Sequence, residues 1–101
     1  VILPFNYKNH KSIFQLFSIR VTDNLRDNLM TFLTSKGIMS KIFFEPVHLS
    51  KFYSKNMNKK SSLPKTEKIS QQVLTLPMYP SLTKDDMNFI SDSIDEFMET
   101  L

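Results

Sequence analysis

Few side chains in this sequence have the chemistry of a catalytic site. The two histidines, His10 and His48, have no acidic partner at a nucleophile or metal spacing, and there is no Cys to join them. Metal centres and nucleophilic triads need several such groups held together, so neither is expected. Asp85-Asp86 reads as a pair of first-turn acids that suit a helix dipole rather than as metal ligands. Glu45, beside Pro46, is a lone carboxylate and a poor signal for a general base. The chain has one Gly, which excludes Walker loops and dinucleotide fingerprints, because both need several glycines to bring backbone close to phosphate. The most distinctive polar group is His48, set in a Pro-x-His corner with Tyr53 five residues later.

The balance of charge is +3, but it is unevenly spread. Lys51, Lys55, Lys59, Lys60, Lys65 and Lys68 fall in one stretch, relieved by Glu67 alone. Asp85, Asp86, Asp92, Asp95, Glu96 and Glu99 crowd the C-terminal part. Two readings stay open for the lysines. One is a solvated loop beside an acidic helix face; the other is a small nucleic-acid module with Phe52 and Tyr53 as stacking residues.

The elements that must position these groups follow from periodicity. Ile13 to Val21 alternates, with Ile13, Phe17, Ile19 and Val21 on one side, and is expected to be a strand. Thr22, Asp23 and Asn24 are helix-opening residues. Leu25, Leu29, Phe32 and Leu33 then make one helical stripe, with Lys36 in the last turn and Gly37 as the left-handed stop. Ile38 to Phe44 reads as a second strand, joined to the first across the sheet by the helix, and Pro46 ends it. Ser50 to Ser62 is polar and weakly periodic, and is expected to be a mobile surface loop. Pro64 suits the first turn of a short helix with Ile69 and Val73 as its stripe. Leu74 to Pro80 is extended, because residues before proline avoid the helical region. Thr83 and Asp86 form a capping box around the last helix, stapled by Leu82 and Met87. Met87, Ile90, Ile94, Phe97, Met98 and Leu101 give that helix one apolar face, expected to pack on the chain's own sheet.

A chain of 101 residues, 41% of them hydrophobic, has the material for one domain that buries roughly 60–70% of its unfolded surface. No run approaches the ~20 apolar residues that span a bilayer, and the N-terminus lacks the plan of a signal peptide. The lack of Cys is compatible with a reducing cytosol, so a cytoplasmic location is expected. Val1 is an odd first residue for an open reading frame, and an excised domain is the expectation.

The ordered set of motifs carries a resemblance. A strand ending in Ile19-Arg20-Val21 precedes a helix and a Gly37-Ile38 start. Then come the Pro46-x-His48 corner, Tyr53, a Leu63-Pro64 helix start, Leu76-Pro77-x-Tyr79-Pro80, and a capped final helix. From Ser12 to Leu101 this resembles the C-terminal small domain of the DegT/DnrJ/StrS family of pyridoxal-phosphate-dependent sugar aminotransferases. The resemblance implies an α/β (α+β-like) small lobe of the aspartate-aminotransferase fold: a few-stranded sheet packed by two longer helices and one short one. It implies amino transfer, with glutamate the usual donor, onto a nucleotide-linked keto-sugar, by a protein that is a homodimer at full length.

In such a protein pyridoxal phosphate is held by a lysine of the large domain. No Lys here matches that motif, so residues 1–101 are expected to be a single small domain, inert alone and without bound cofactor. Where relatives commonly carry an Arg, a His-Tyr pair and a Pro, this sequence has Lys41, Phe43-Phe44 and Glu45. Pro46, His48 and Tyr53 keep the pattern. The implied substrate-binding residues are His48, Phe44 and Tyr53, with no catalytic residue and no metal. For His48 two roles stay open: contact with a phosphate or sugar oxygen, or a bond to a backbone carbonyl that holds the corner. Phe5, Tyr7, Phe43 and Tyr79 are candidates for apolar surface left exposed without the large domain. Neither nucleic acid nor membrane is an implied partner, and a regulatory or adaptor role on the same fold is the remaining rival.

Overall fold

Pro77 follows directly on the second strand of the sheet. The computed structural model describes residues 1–56 and 62–101. Strand β1 (Phe17–Arg20) pairs antiparallel with β2 (Val73–Leu76), in a register that places Phe17 opposite Leu76 and Ile19 opposite Leu74. Two single-residue bridges extend the ladder. Ile2 exchanges backbone bonds of 2.8 and 2.9 Å with Arg20, and Lys41 exchanges bonds of 3.0 and 2.8 Å with Thr75. The spatial order is therefore Ile2, β1, β2, Lys41. At Lys41 the chain runs parallel to β1, so the intervening helix is a crossover, as the strand–helix–strand pattern implied.

Both expected strands are shorter than their periodicity. Ile38–Phe44 contributes one bridge, and on its Met39 side the next hydrogen-bonded pair would set Met39 against Pro77, which has no N–H to give. The Ile13–Val21 strand begins only at Phe17. Phe14 takes a left-handed backbone (φ 43°), and Ile13 is 93% exposed. The alternation holds from Phe17 onward: Ile19 and Val21 are buried, while Ser18 Oγ lies 2.8 Å from Thr75 Oγ1 on the other face.

Helix α1 (Arg26–Ser35) opens without a side-chain cap. Asp23 and Asn24 both adopt left-handed backbone, which Asx residues tolerate, and Thr22 Oγ1 donates to Asp23 Oδ2. The Thr22–Asp23 bond therefore closes the turn rather than capping the helix. Gly37 (φ 78°) is the left-handed stop. Lys36 lies just past the last turn and donates to both carboxylate oxygens of Glu96, at 2.9 and 2.8 Å.

Three short elements follow: a 3-10 turn at Val47–Leu49, α2 (Lys51–Asn56) and α3 (Pro64–Ser70). Among the described residues there are thus two short helices, not one. The expected loop from Ser50 is helical through Asn56, and its remainder includes positions 57–61, outside the described residues. Weak periodicity hid α2 because the helix buries none of its residues. Pro64 opens α3, but Val73 belongs to β2 rather than to that helix's stripe.

Helix α4 (Lys84–Glu99) carries the capping box. Thr83 N–H donates to Asp86 Oδ2 (3.0 Å) and Asp86 N–H to Thr83 Oγ1 (3.1 Å). Together α1 and α4 cover one sheet face, around a core of Ile19, Val21, Leu29, Leu33, Ile38, Leu74, Ile90 and Phe97. The Phe32 and Phe97 rings meet at 5.5 Å. The expected apolar face of α4 is only partly covered. Ile90, Ile94 and Phe97 turn into the core, whereas Met87, Met98 and Leu101 remain exposed. No helix among the described residues is long and apolar enough to cross a membrane.

Candidate functional site

Pairing ends at the Lys41 bridge, before the expected stop at Pro46, and the turn after Pro46 places His48. Leu49 N–H bonds back to Pro46 O at 2.9 Å, and Ser50 closes the turn by donating N–H and Oγ to Val47 O. His48 Nε2 lies 2.9 Å from Glu67 Oε1. That same oxygen accepts Leu63 N–H at 3.1 Å, holding the entry of α3. The His48 side chain is 9% exposed and Glu67 33%. The His48 hydrogen bond, then the Leu63 N–H, holds the Glu67 carboxyl below its ordinary range, against a smaller upward push from burial.

Sequence reasoning gave His48 no acidic partner, and the structure corrects that. Neither open role for His48 named a carboxylate, yet Glu67 engages its Nε2. Phe44 and Tyr53 differ from His48 in setting. Phe44 is 74% exposed with its ring 5.0 Å from Phe43, and Tyr53 stands on α2, 42% exposed, edge-on to Phe52. The three nominated residues therefore comprise one nearly buried, engaged imidazole and two rings open to solvent. Phe5, Tyr7 and Tyr79 are exposed as expected. Phe43 is half-buried, because its ring lines a groove and sits 6.0 Å from Lys41 Nζ.

That groove, of about 640 Å³, lies between the Gly37–Lys41 segment, the exit of β2 and the first turns of α4. Gln15, Lys41, Thr75, Tyr79 and Asp86 supply its polar lining. Asp86 is already committed to the capping box, and its bonds to Thr83 hold the carboxyl below its ordinary range. A more apolar groove of about 750 Å³ borders the other side of Pro77 and α4, lined by Phe17, Leu76, Met87, Ile94 and Met98 among others. Lys41 and Glu67 were missed as polar groups of these sites. The signal for Glu67 was its place four residues after the Leu63-Pro64 helix start.

The described residues do not by themselves make a pyridoxal-phosphate site. A Schiff-base lysine must be desolvated and free to attack. Every described lysine is exposed except Lys36, which is bonded to Glu96. No group of three or more His, Cys, Asp or Glu that could hold a metal is present among the described residues. Lys51, Lys55, Lys65 and Lys68 are exposed, while Lys59 and Lys60 lie outside the described residues.

The sequence profile of the DegT/DnrJ/EryC1/StrS aminotransferase family matches residues 1–95. The chain belongs to this family. Among family relatives, the "Pleiotropic regulatory protein" of Geobacillus stearothermophilus is 30% identical over 98 residues. The dTDP-3-amino-3,4,6-trideoxy-alpha-D-glucose transaminase of Streptomyces venezuelae is 32% identical over 98 residues. Each match covers 96% of this chain but 26% and 25% of the relative. The crystal structure of S. venezuelae DesV in complex with a ketimine intermediate superposes with a TM-score of 0.84 at 31% identity, covering 95% of this chain and 26% of that one. The chain thus spans about a quarter of the length of the curated relatives it matches. The family resemblance and the mixed α/β small-domain fold are both established by these matches.

Proposed function

We propose that residues 1–101 are the C-terminal small lobe of a pyridoxal-phosphate-dependent aminotransferase that acts on a nucleotide-linked keto-sugar, with glutamate as amino donor. The observation that carries this reading is the pairing of a family match over residues 1–95 with coverage of only a quarter of each relative. A large domain of the same protein would hold the cofactor on its lysine. When bound, pyridoxal phosphate supplies an electron sink for the amino group being transferred. The full-length protein is proposed to be a cytoplasmic homodimer.

Within that enzyme this lobe lines the substrate cleft. His48 offers a fixed polar group at the Pro46 corner. The exposed rings of Phe44 and Tyr53 supply flat apolar walls of the kind that bury a ligand's carbon skeleton. Phe43-Phe44 stand where relatives commonly carry polar rings, so this pair marks the part of the cleft that sets which sugar is accepted.

The test is amino transfer by the full-length enzyme from glutamate to a panel of nucleotide-linked keto-sugars, read as 2-oxoglutarate release. His48→Ala should lower kcat/KM at least about tenfold, or ~1.4 kcal/mol of transition-state stabilisation. The 101-residue chain alone should be inactive. Unchanged efficiency in His48→Ala, Phe44→Ala and Tyr53→Ala alike would remove this lobe from the cleft.

A further inference from the structure

His48 is the most buried side chain of its corner, and its partner decides what its remaining nitrogen can do. Glu67 Oε1 takes two donors at once, Leu63 N–H at 3.1 Å and the imidazole at 2.9 Å. The Leu63 bond ties the carboxylate to the start of α3, so its orientation is held by the helix as well as by the histidine. An ionised carboxylate only accepts hydrogen bonds, and the depressed range of Glu67 keeps it ionised at neutral pH. The shared hydrogen therefore belongs to Nε2. The opposite tautomer would face a lone pair against a carboxylate oxygen at 2.9 Å, in a side chain only 9% exposed. Two acceptors facing each other with no hydrogen between them, one on a nearly buried ring, are costly. Nδ1 makes no hydrogen bond to another described residue.

We propose that Glu67 is a positioning residue that keeps His48 Nε2 protonated, so that the neutral form of the ring is its Nε2–H tautomer and that form presents Nδ1 to substrate as an acceptor for a hydroxyl or N–H donor of the sugar, not for a phosphate oxygen. This rests on the reading that His48 reaches substrate, and it fixes the chemistry of that contact. A phosphate oxygen has no hydrogen to give to Nδ1, whereas a sugar hydroxyl or the amide N–H of an acylated amino-sugar has one. Recognition of a donor by a buried acceptor discriminates strongly, because an analogue lacking the hydrogen leaves that acceptor unpaired.

Two measurements on the full-length enzyme test the lock. In protein labelled with 15N-histidine, above the imidazole's titration range, His48 (assigned by loss of its signals in His48→Gln) should show a protonated Nε2 and an unprotonated Nδ1. The reverse assignment overturns the proposal, and this reading needs no destabilising variant. In a double-mutant cycle, Glu67→Gln should lower kcat/KM about fivefold, since its amide can donate and release the tautomer, yet have no further effect in a His48→Ala background. A fivefold loss that persists undiminished without His48 would mean that Glu67 acts elsewhere, and would overturn the role. Should His48→Ala itself leave kcat/KM untouched, the substrate contact falls and the proposed selection of a donor falls with it. The tautomer is then still read from the spectrum, so the two failures are distinguishable.

Discussion

The half of the molecule built from β1, β2, α1 and α4 and a second half, the described residues from Met39 to Ser70, are held by different forces. In the first, Ile19, Val21, Leu29, Leu33 and Leu74 are each 1% exposed or less. In the second, Met39, Ile42, Phe44, Val47, Leu49, Phe52 and Tyr53 are all exposed. The best-buried side chain of the His48 corner is a polar ring clasped by a carboxylate. The first half folds because burial of apolar area is favourable; the second keeps its shape through a few directed hydrogen bonds. The radius of gyration, 15.9 Å, exceeds the ~13 Å of a compact domain of this length, as an open second half and an exposed N-terminal arm require. A surface this apolar is of the kind that forms interaction faces, which supports the proposed reading of this chain as a small lobe.

The sharpest way to break this contrast is to delete one large side chain from each half. Leu29→Ala removes a fully buried side chain at the centre of the core, and should cost about 3 kcal/mol in urea unfolding. Phe44→Ala should shift stability by no more than ~0.5 kcal/mol, because its ring is already in solvent. Equal losses at the two positions would show that the corner is packed after all.

What could be read from the sequence follows the same division. Gly37 and the Thr83–Asp86 box were legible because each is decided within a few residues, by a left-handed backbone or by reciprocal capping. The core stripe of α1 was legible because Leu29 and Leu33 repeat on one face. Strand ends were not: Met39 faces Pro77, far along the chain, and β1 starts late at a left-handed Phe14 that its alternation does not announce. Asp23 and Asn24 looked like caps because the same oxygens serve caps and turns. In the corner, α2 lacks a buried stripe to announce it, and the His48–Glu67 contact joins positions 19 residues apart. Pairings of that kind have no local pattern, which is why the corner's chemistry was the hardest part to foresee.

A middle-sized effect probes the edge of the first half. Thr83→Ala removes the side-chain acceptor for Asp86 N–H and the Oγ1 donor to its carboxylate. The cost should be about 1 kcal/mol, typical for loss of an N-cap, measured by denaturant unfolding with an unchanged m-value. A loss comparable with that of Leu29→Ala would mean that α4 depends on its cap more than on Ile90 and Phe97.

Acid should act locally on the second half. The folded Glu67 carboxyl sits below its unfolded value of 4.5. Its bonds to His48 and Leu63 therefore contribute fully above that value and are lost as pH falls through the lower, folded one. Asp86 follows the same sign with Thr83, but α4 is also anchored by the core. Backbone amide exchange should show Leu63 losing protection on acidification, at a pH where Leu33 and Leu74 remain protected. Simultaneous loss at all three would erase the distinction between a clasped corner and a packed core.

The smallest effect concerns a buried polar group at the junction of the two halves. Ser40 is 6% exposed, and its Oγ has no hydrogen-bond partner among the described residues. It follows Ile38 and Met39 just where the chain leaves the core for the Lys41 bridge. A buried hydroxyl without a partner gives up its bonds to water and gains none, so removing it should not harm the fold. Ser40→Ala is expected to leave stability unchanged or to raise it by up to ~1 kcal/mol, read as a shift in urea midpoint. A clear loss would mean that the hydroxyl is bonded in solution. The boundary between the two halves would then be held, as the corner is, by a directed polar contact.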